Sequence, residues 1–121
     1  EYGLQDRVYF LGLQVNVLKF MRHADVMLFP SEWEGLPGVV LESLSVGLPV
    51  VGSDLPGIEE ISERIEGVQI IGRHQSDGEW ADRLLAVLNE QVDRAKIVQS
   101  FKLSEFLMYK NVQQLYAIYS E

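Results

Sequence analysis

Two glutamates, Glu34 and Glu42, are the side chains of this sequence whose type and spacing point most directly to chemistry. Seven residues separate them within the segment FPSEWEGLPGVVLES, which reads as the end of a strand, an acidic loop rich in glycine and proline, and a helix. Glu42 falls on the early turns of that helix. A carboxylate there can accept hydrogen bonds from vicinal hydroxyls, as it does in ribose recognition.

The start of the same helix is suited to binding an anion. Pro37 is predicted to open the helix, and Gly35 and Gly38 leave room for a ligand to approach the backbone. The first turn of a helix presents unpaired N–H groups and a partial positive charge of about 0.5 elementary charge. The segment therefore predicts an anion site that needs neither a metal ion nor a basic side chain.

Four short apolar runs predict the strands that position this segment. The runs are mostly continuous rather than alternating, which is typical of strands covered on both faces. They are VYFLG from Val8, VMLFP from Val26, PVVGS from Pro49 and VQIIG from Val68.

Helical patterns lie between and after these runs. Residues 16–24 predict one helix with Asn16 as its cap, and residues 37–46 predict a second that stops at Gly47. A short helix is expected after Gly57. A longer one is expected from about residue 77 to residue 91, with one apolar face formed by Trp80, Leu84, Leu85 and Leu88.

Alternating strands and helices predict an α/β fold with a Rossmann-like parallel sheet and helices on both faces. Ligands of such sheets bind at the carboxyl ends of the strands. Those ends are the loops after Phe29, Ser53 and Gly72.

Composition narrows the function. The chain of 121 residues fits one domain, and its net charge of -8 argues against a nucleic-acid partner. It has no cysteine, and His23 and His74 are not spaced as metal ligands, so no metal site is expected. No apolar run approaches the roughly 20 residues that span a bilayer, so no membrane anchor is expected in this segment.

At Glu34 and Glu42 the sequence resembles glycosyltransferase family 4, whose E-x7-E motif these residues match. PSEWEGLPGVVLES, GLPVVGSD and PGIEEI match the family pattern, as do the upstream VYFLG and HADVMLFP. The likeness is close over residues 7–71 and looser over the C-terminal helices. It implies a GT-B fold, with residues 1–121 forming part of the C-terminal, nucleotide-sugar-binding domain.

The resemblance also implies roles for particular residues. Glu34 would lie beside the donor sugar as the catalytic carboxylate, and Glu42 would hold the ribose hydroxyls. Pro37 lacks an N–H group. Backbone N–H groups would bind the sugar and diphosphate from Gly35, Leu36, Gly38 and Val39.

The implied reaction is transfer of a hexose from a nucleoside-diphosphate sugar, with retention of configuration and without a metal or cofactor. The acceptor would be a glycan or a lipid-linked sugar in cell-surface polysaccharide biosynthesis, in the cytoplasm or at the inner face of the membrane. The family's diphosphate-binding Arg and Lys, and its acceptor domain, lie upstream of this segment. We therefore expect weak donor binding and no transfer by this chain alone. The terminal helix predicted over residues 104–121 would pack on the sheet or toward that other domain.

Two alternatives remain at this stage. A GT-B-fold sugar-nucleotide epimerase would bind a similar ligand, although such enzymes lack the full E-x7-E setting. A non-catalytic flavodoxin-like module, such as a receiver, would need an acidic pair and a lysine at the strand ends. The strand ends here show Pro30, Asp54 and Gly72 instead.

Overall fold

The computed structural model describes residues 2–107, which form three strands and five helices. In chain order these are α1 (Val17–His23), β1 (Met27–Phe29), α2 (Gly38–Ser45), β2 (Val50–Ser53), α3 (Pro56–Arg64), β3 (Val68–Ile71), α4 (Asp77–Asn89) and α5 (Arg94–Leu103).

The sheet is parallel throughout, in the order β1-β2-β3. Phe29 pairs with Gly52, and Ser53 pairs with Ile71, so all three strands end at the same edge. The predicted α/β fold is confirmed. The loops after Phe29, Ser53 and residue 72 are brought to that one edge, as the sequence predicted.

Helices cover both faces of the sheet, because consecutive residues of a strand point in opposite directions. Val50 and Val51 are both fully buried. Val50 belongs to the larger core cluster, with side chains of α2, α3 and α5, and we call that side the α2 face. Val51 belongs to a smaller cluster with Ile71 of β3 and Val87 of α4, and we call that side the α4 face.

The prediction of a strand over residues 8–12 is wrong. These residues form no strand and are exposed, with Phe10 at 98% of its full accessibility. An apolar run becomes a strand only where a neighbouring strand pairs with it, and none of the three described strands does so. Pattern alone could not reveal the lack of a partner.

Two helix details also differ from expectation. Asn16 stands at the N-cap of α1, but its side chain makes no capping hydrogen bond. In α4, Trp80 and Leu84 pack against the small core cluster, whereas Leu85 and Leu88 remain 54% and 46% exposed. The apolar arc of α4 is therefore wider than the surface that the sheet offers it.

Helix α5 went unpredicted, although Asp93 caps it by accepting a hydrogen bond from the Lys96 N–H at 3.1 Å. Its Ile97 and Phe101, four residues apart, are buried in the larger core cluster. Of the helix predicted over residues 104–121, only residues 104–107 are described, and Phe106 among them is buried in that cluster.

Arg94, at the start of α5, holds the ends of two other helices. Its guanidinium donates to the carbonyl oxygens of Ala24 at 2.9 Å, Met21 at 3.2 Å and Val46 at 3.4 Å. Gly47, the predicted stop of α2, has φ +79° and would place a Cβ 2.6 Å from the Arg94 carbonyl oxygen. Both the backbone angle and the contact require glycine there.

Candidate functional site

The loop between β1 and α2 is anchored at its start by a buried serine. Ser53, the last residue of β2, is fully buried and donates its hydroxyl proton to the Ser31 carbonyl oxygen at 2.6 Å. This hydrogen bond joins the ends of two neighbouring strands. The backbone of the loop therefore leaves the sheet from a fixed point.

Near its middle, the same loop is packed against the start of α3. A Cβ at Gly57 would overlap the carbonyl oxygen of Gly35 and lie 2.9 Å from its carbonyl carbon and 3.3 Å from the Leu36 Cα. Gly57 thus permits a close approach of two backbones that no other residue would allow. The side chain of Leu36 packs against the larger core cluster.

Glu34 projects from this anchored loop into solvent. The Ser31 hydroxyl lies 3.2 Å from the Glu34 Oε1, where it donates a hydrogen bond to the carboxylate. Glu34 is exposed, and the neighbouring Trp33 retains 87% of its full accessibility. The carboxylate is thus oriented but open to a ligand.

Helix α2 turns a narrow stripe outward. Val40, Leu41 and Leu44 are buried in the core, while Gly38 is exposed and Glu42 is half-buried. Residues four apart share a helix face, and side chains lean toward the N-terminus. Gly38 and Glu42 therefore share the outward stripe of α2.

The first turn of α2 has unpaired donors. Pro37 occupies the N-cap and provides no side-chain cap, while the N–H of Val40 bonds the Pro37 carbonyl oxygen at 3.2 Å. Within residues 35–39, the N–H groups of Gly35, Leu36, Gly38 and Val39 make no hydrogen bond with any described residue, as is also true of the loop N–H groups at residues 32–34.

A second link at the same edge was not foreseen from the sequence. Asp54 follows β2, and its Oδ1 accepts hydrogen bonds from both the backbone N–H and the Nε of Arg73, each at 2.9 Å. The backbone hydrogen bond is the main cause of the lowered pKa of Asp54; the Arg73 guanidinium adds to it, and desolvation opposes it. The only signal in the sequence was the position of Arg73, directly after the run VQIIG.

A cavity of about 450 Å³ opens on the α4 face, away from α2. None of the six predicted site residues lines it. Its wall combines apolar and polar side chains: Leu28, Pro30, Glu32, Arg73, Gln75, Asp77, Trp80, Ala81 and Leu84.

Residues 1–90 match the family model described as glycosyl transferases group 1. The chain belongs to the group 1 glycosyltransferases. Within residues 2–107, no helix is long and apolar enough to cross a membrane. The same part of the chain also brings no three His, Cys, Asp or Glu side chains together as a metal site.

Several curated relatives are similar to this chain. A D-inositol 3-phosphate glycosyltransferase of Mycolicibacterium smegmatis is 28% identical over 123 residues, which cover 99% of this chain and 28% of that protein. A lipopolysaccharide core biosynthesis mannosyltransferase of Rhizobium meliloti is 36% identical over 59 residues, or 49% of this chain and 17% of that protein. An uncharacterized glycosyltransferase of Methanocaldococcus jannaschii is 51% identical over 54 residues, or 45% of this chain and 13% of that protein. The chain thus spans less than a third of the length of these relatives.

The six residues singled out from the sequence lie on one loop and the helix that follows it. Ser53 and Gly57 fix that loop from neighbouring elements, and neither stood out in the sequence. His23 and His74 are exposed and take no part in this arrangement.

Proposed function

We propose that this chain forms the donor-binding part of a retaining hexosyltransferase. Its substrate would be a nucleoside-diphosphate sugar, and its acceptor a glycan or lipid-linked sugar in polysaccharide biosynthesis. The observation that carries the proposal is the uncapped start of α2, where the unpaired N–H groups of Gly38 and Val39 lie on the same helix as the outward-facing Glu42.

The diphosphate would bind at the start of α2. Helix N-termini bind phosphate because their free N–H groups converge on the anion and the helix dipole favours negative charge. The N–H groups of Gly35 and Leu36 extend the same set of donors toward the sugar. We assign hydrogen bonding of the diphosphate to these backbone groups, and its neutralisation to cations outside this chain, with no metal ion or cofactor proposed.

The two glutamates would take different parts of the donor. Glu42 would accept hydrogen bonds from the ribose hydroxyls. Glu34, oriented by Ser31, would bind the hexose and stabilise the positive charge that develops when the bond to the diphosphate breaks. In such an oxocarbenium-like transition state the diphosphate would leave with its bonding electrons while the acceptor oxygen bonds to the anomeric carbon on the same face, which retains the configuration. The proton of the acceptor hydroxyl would pass to the departing phosphate oxygen.

The energetics favour weak binding by this chain alone. A helix N-terminus contributes about 0.3–1 kcal/mol to an anion at an exposed site. Millimolar affinity corresponds to about 4 kcal/mol. Further cations and the acceptor site would come from elsewhere in a protein as long as its relatives, so we expect no sugar transfer by residues 1–121 alone. We place the reaction in the cytoplasm, at the inner face of the membrane where the acceptor is lipid-linked.

The test is a metal-free NMR titration of the labelled chain with UDP, GDP and their hexose derivatives. We expect shifts concentrated on residues 34–42. Glu42→Ala should weaken binding about tenfold to a hundredfold, because hydrogen bonds to a charged group contribute about 1.5–3 kcal/mol. The matched control is Glu79→Ala, which removes a carboxylate from the start of α4 and should leave binding unchanged.

The titration is repeated on a protein that carries this sequence at the full length of its relatives. If residues 34–42 showed no chemical-shift changes in either protein at millimolar ligand, the proposed donor site would be contradicted. Shifts only in the longer protein would support the site and assign most of the affinity to residues outside this chain.

A further inference from the structure

A side chain joins β1 to β2 beyond the point where their backbone pairing stops. The last register pair of these strands is Phe29 with Gly52. The Ser53 carbonyl oxygen accepts from the Leu55 N–H at 2.9 Å, as the chain turns into α3, and not from the N–H of Ser31. The fully buried Ser53 hydroxyl donates to the Ser31 carbonyl oxygen at 2.6 Å. The position of Ser31 relative to the sheet therefore depends on one buried hydroxyl group.

Ser31 in turn fixes Glu34. The Ser31 hydroxyl lies 3.2 Å from the Glu34 Oε1 and 3.3 Å from the Trp33 carbonyl oxygen. Its one proton is shared between these two acceptors, so residues 31–34 are closed into a tight loop. The other carboxylate oxygen, Glu34 Oε2, makes no hydrogen bond within residues 2–107. One oxygen of Glu34 is thus held by the protein, and the other is left for a ligand.

The rest of the proposed donor site is supported by different contacts. The backbone of Gly35 lies directly against Gly57 at the start of α3. Gly38 and Glu42 belong to α2, whose apolar side is buried in the larger core cluster. These contacts involve neither of the two serines. The loop therefore has two separate supports, one for residues 31–34 and one for residues 35–42.

We propose that Ser53 is a positioning residue for the hexose of the donor and that it acts through Ser31 on Glu34. The inference rests on the proposed function, in which Glu34 binds the hexose. Loss of the Ser53 hydroxyl would release the Ser31 carbonyl group, and Glu34 would lose its fixed direction. Recognition of the hexose would then weaken, while the nucleoside diphosphate would still bind at the start of α2.

The experiment compares UDP with UDP-glucose, and GDP with GDP-mannose, by NMR titration. It uses the labelled 121-residue chain, and the longer protein where that chain does not saturate. Ser53→Ala should weaken binding of the nucleotide sugar about threefold to tenfold, the loss expected for one hydrogen bond, and change the Kd of the free nucleoside diphosphate by less than about twofold. A general loss of structure would weaken both ligands alike.

A double-mutant cycle tests whether Ser53 acts through Glu34. Glu34→Ala should also weaken the nucleotide sugar selectively, because the carboxylate that binds the hexose is gone. In that background Ser53→Ala should have no further effect on the nucleotide sugar, since there is no carboxylate left to position. Losses that add would mean that the two residues act independently.

Ser43 offers a matched control for the removal of a buried hydroxyl. It is also fully buried and also donates to a backbone carbonyl oxygen, that of Leu48 at 3.0 Å. This hydrogen bond closes the turn after α2, at the end of the helix away from the donor loop. Ser43→Ala should lower the urea midpoint about as much as Ser53→Ala and leave the Kd of every ligand unchanged.

Variants of Ser31 test the second step without disturbing the buried residue. Ser31→Ala keeps the backbone carbonyl group that Ser53 binds and removes the hydroxyl beside Glu34. It should therefore show the same selective loss of nucleotide-sugar binding. Ser31→Thr retains a hydroxyl and should bind like the unmodified chain. If Ser53→Ala does not fold, Ser53→Cys replaces it, because a thiol is a weaker donor of similar size.

Three results would overturn the inference. These are equal weakening of UDP and UDP-glucose by the Ser53 variant, a selective loss in Ser43→Ala, and additive losses in the cycle with Glu34→Ala. In each case, shifts at residues 34–42 of the unmodified protein would leave the proposed donor site standing. If the unmodified protein bound none of the four ligands, the proposed function would fail, and this inference with it.

Discussion

Helices α2 and α4 begin at the same edge of the sheet, yet their first turns are built in opposite ways. Helix α4 opens with a capping box in which the Ser76 hydroxyl accepts from the Glu79 N–H at 3.3 Å, and the Glu79 carboxylate accepts from the Ser76 N–H at 2.8 Å. Helix α2 opens after Pro37 with no side-chain cap.

In α4, side chains satisfy hydrogen-bond donors of the first turn, whereas in α2 no side chain does so. The capping box satisfies donors that would otherwise need solvent or a ligand, and so adds to stability. At α2 the equivalent donors stay available, and the loop is held instead from outside, by Ser53 and by the close approach of Gly57. At α2, neighbouring elements stabilise the loop at the place where we propose that the donor binds.

The largest effect is expected from Gly57→Ala, because its Cβ would overlap the Gly35 carbonyl group. Such overpacking costs about 1–3 kcal/mol, and displacement of the loop should abolish nucleotide binding. Urea unfolding and the NMR titration measure the two losses.

The matched control is Gly78→Ala, at the second position of α4, where the nearest atom would be 3.8 Å away. That variant should be as stable as the unmodified chain or up to about 1 kcal/mol more stable. Equal behaviour of the two variants would disprove the role of Gly57.

A smaller effect is expected from Ser76→Ala, which removes the cap of α4. Loss of an N-cap hydroxyl destabilises a protein by about 1 kcal/mol. Nucleotide binding at α2 should not change. Glu42→Ala should do the reverse, with stability within about 0.5 kcal/mol of the unmodified chain and binding weakened about tenfold to a hundredfold. Urea unfolding followed by circular dichroism tests the stability of both variants, since a shifted midpoint at an unchanged m-value reports a change in the free energy of unfolding. A loss of binding in Ser76→Ala would mean that the two helix starts are coupled.

The smallest effect concerns pH. The folded pKa of Asp54 lies below its ordinary value of 3.8, mainly through the Arg73 N–H. Its contribution to stability is therefore complete above that ordinary value and is lost as the pH falls through the lowered pKa. Asp54→Asn should flatten the stability curve in acid, at about pH 4 and below. Asp82→Asn, which removes an equal charge from the exposed flank of α4, serves as the control. If the Asp54→Asn variant lost stability in acid as steeply as the unmodified chain, the role of the Asp54–Arg73 hydrogen bonds would be refuted.

Much of the fold could be predicted from residue 16 onward, because continuous apolar runs and helix signals such as Gly47 act locally. The errors arose where structure depends on distant partners. The run from Val8 has no strand beside it, and Leu85 and Leu88 lie beyond the surface that the sheet covers. Helix α5 was missed although Asp93 and the spacing of Ile97 and Phe101 signalled it.

The candidate site divides in the same way. The glutamates and glycines of the E-x7-E segment could be singled out because their spacing lies within one loop and one helix, and their roles stay a prediction. The supporting contacts join residues far apart in sequence, with 22 positions between Ser31 and Ser53 and 19 between Asp54 and Arg73. Only the parallel register brings those residues together.

The Arg94 guanidinium carries a consequence for the order of folding. Its hydrogen bonds to Ala24 and Met21 span 70 and 73 positions, so α1 is held by a residue that follows every strand of the described sheet. Closing so long a loop is entropically costly, and contacts of high sequence separation form slowly. We therefore expect α1 to dock late in folding, after α5 has seated on the α2 face.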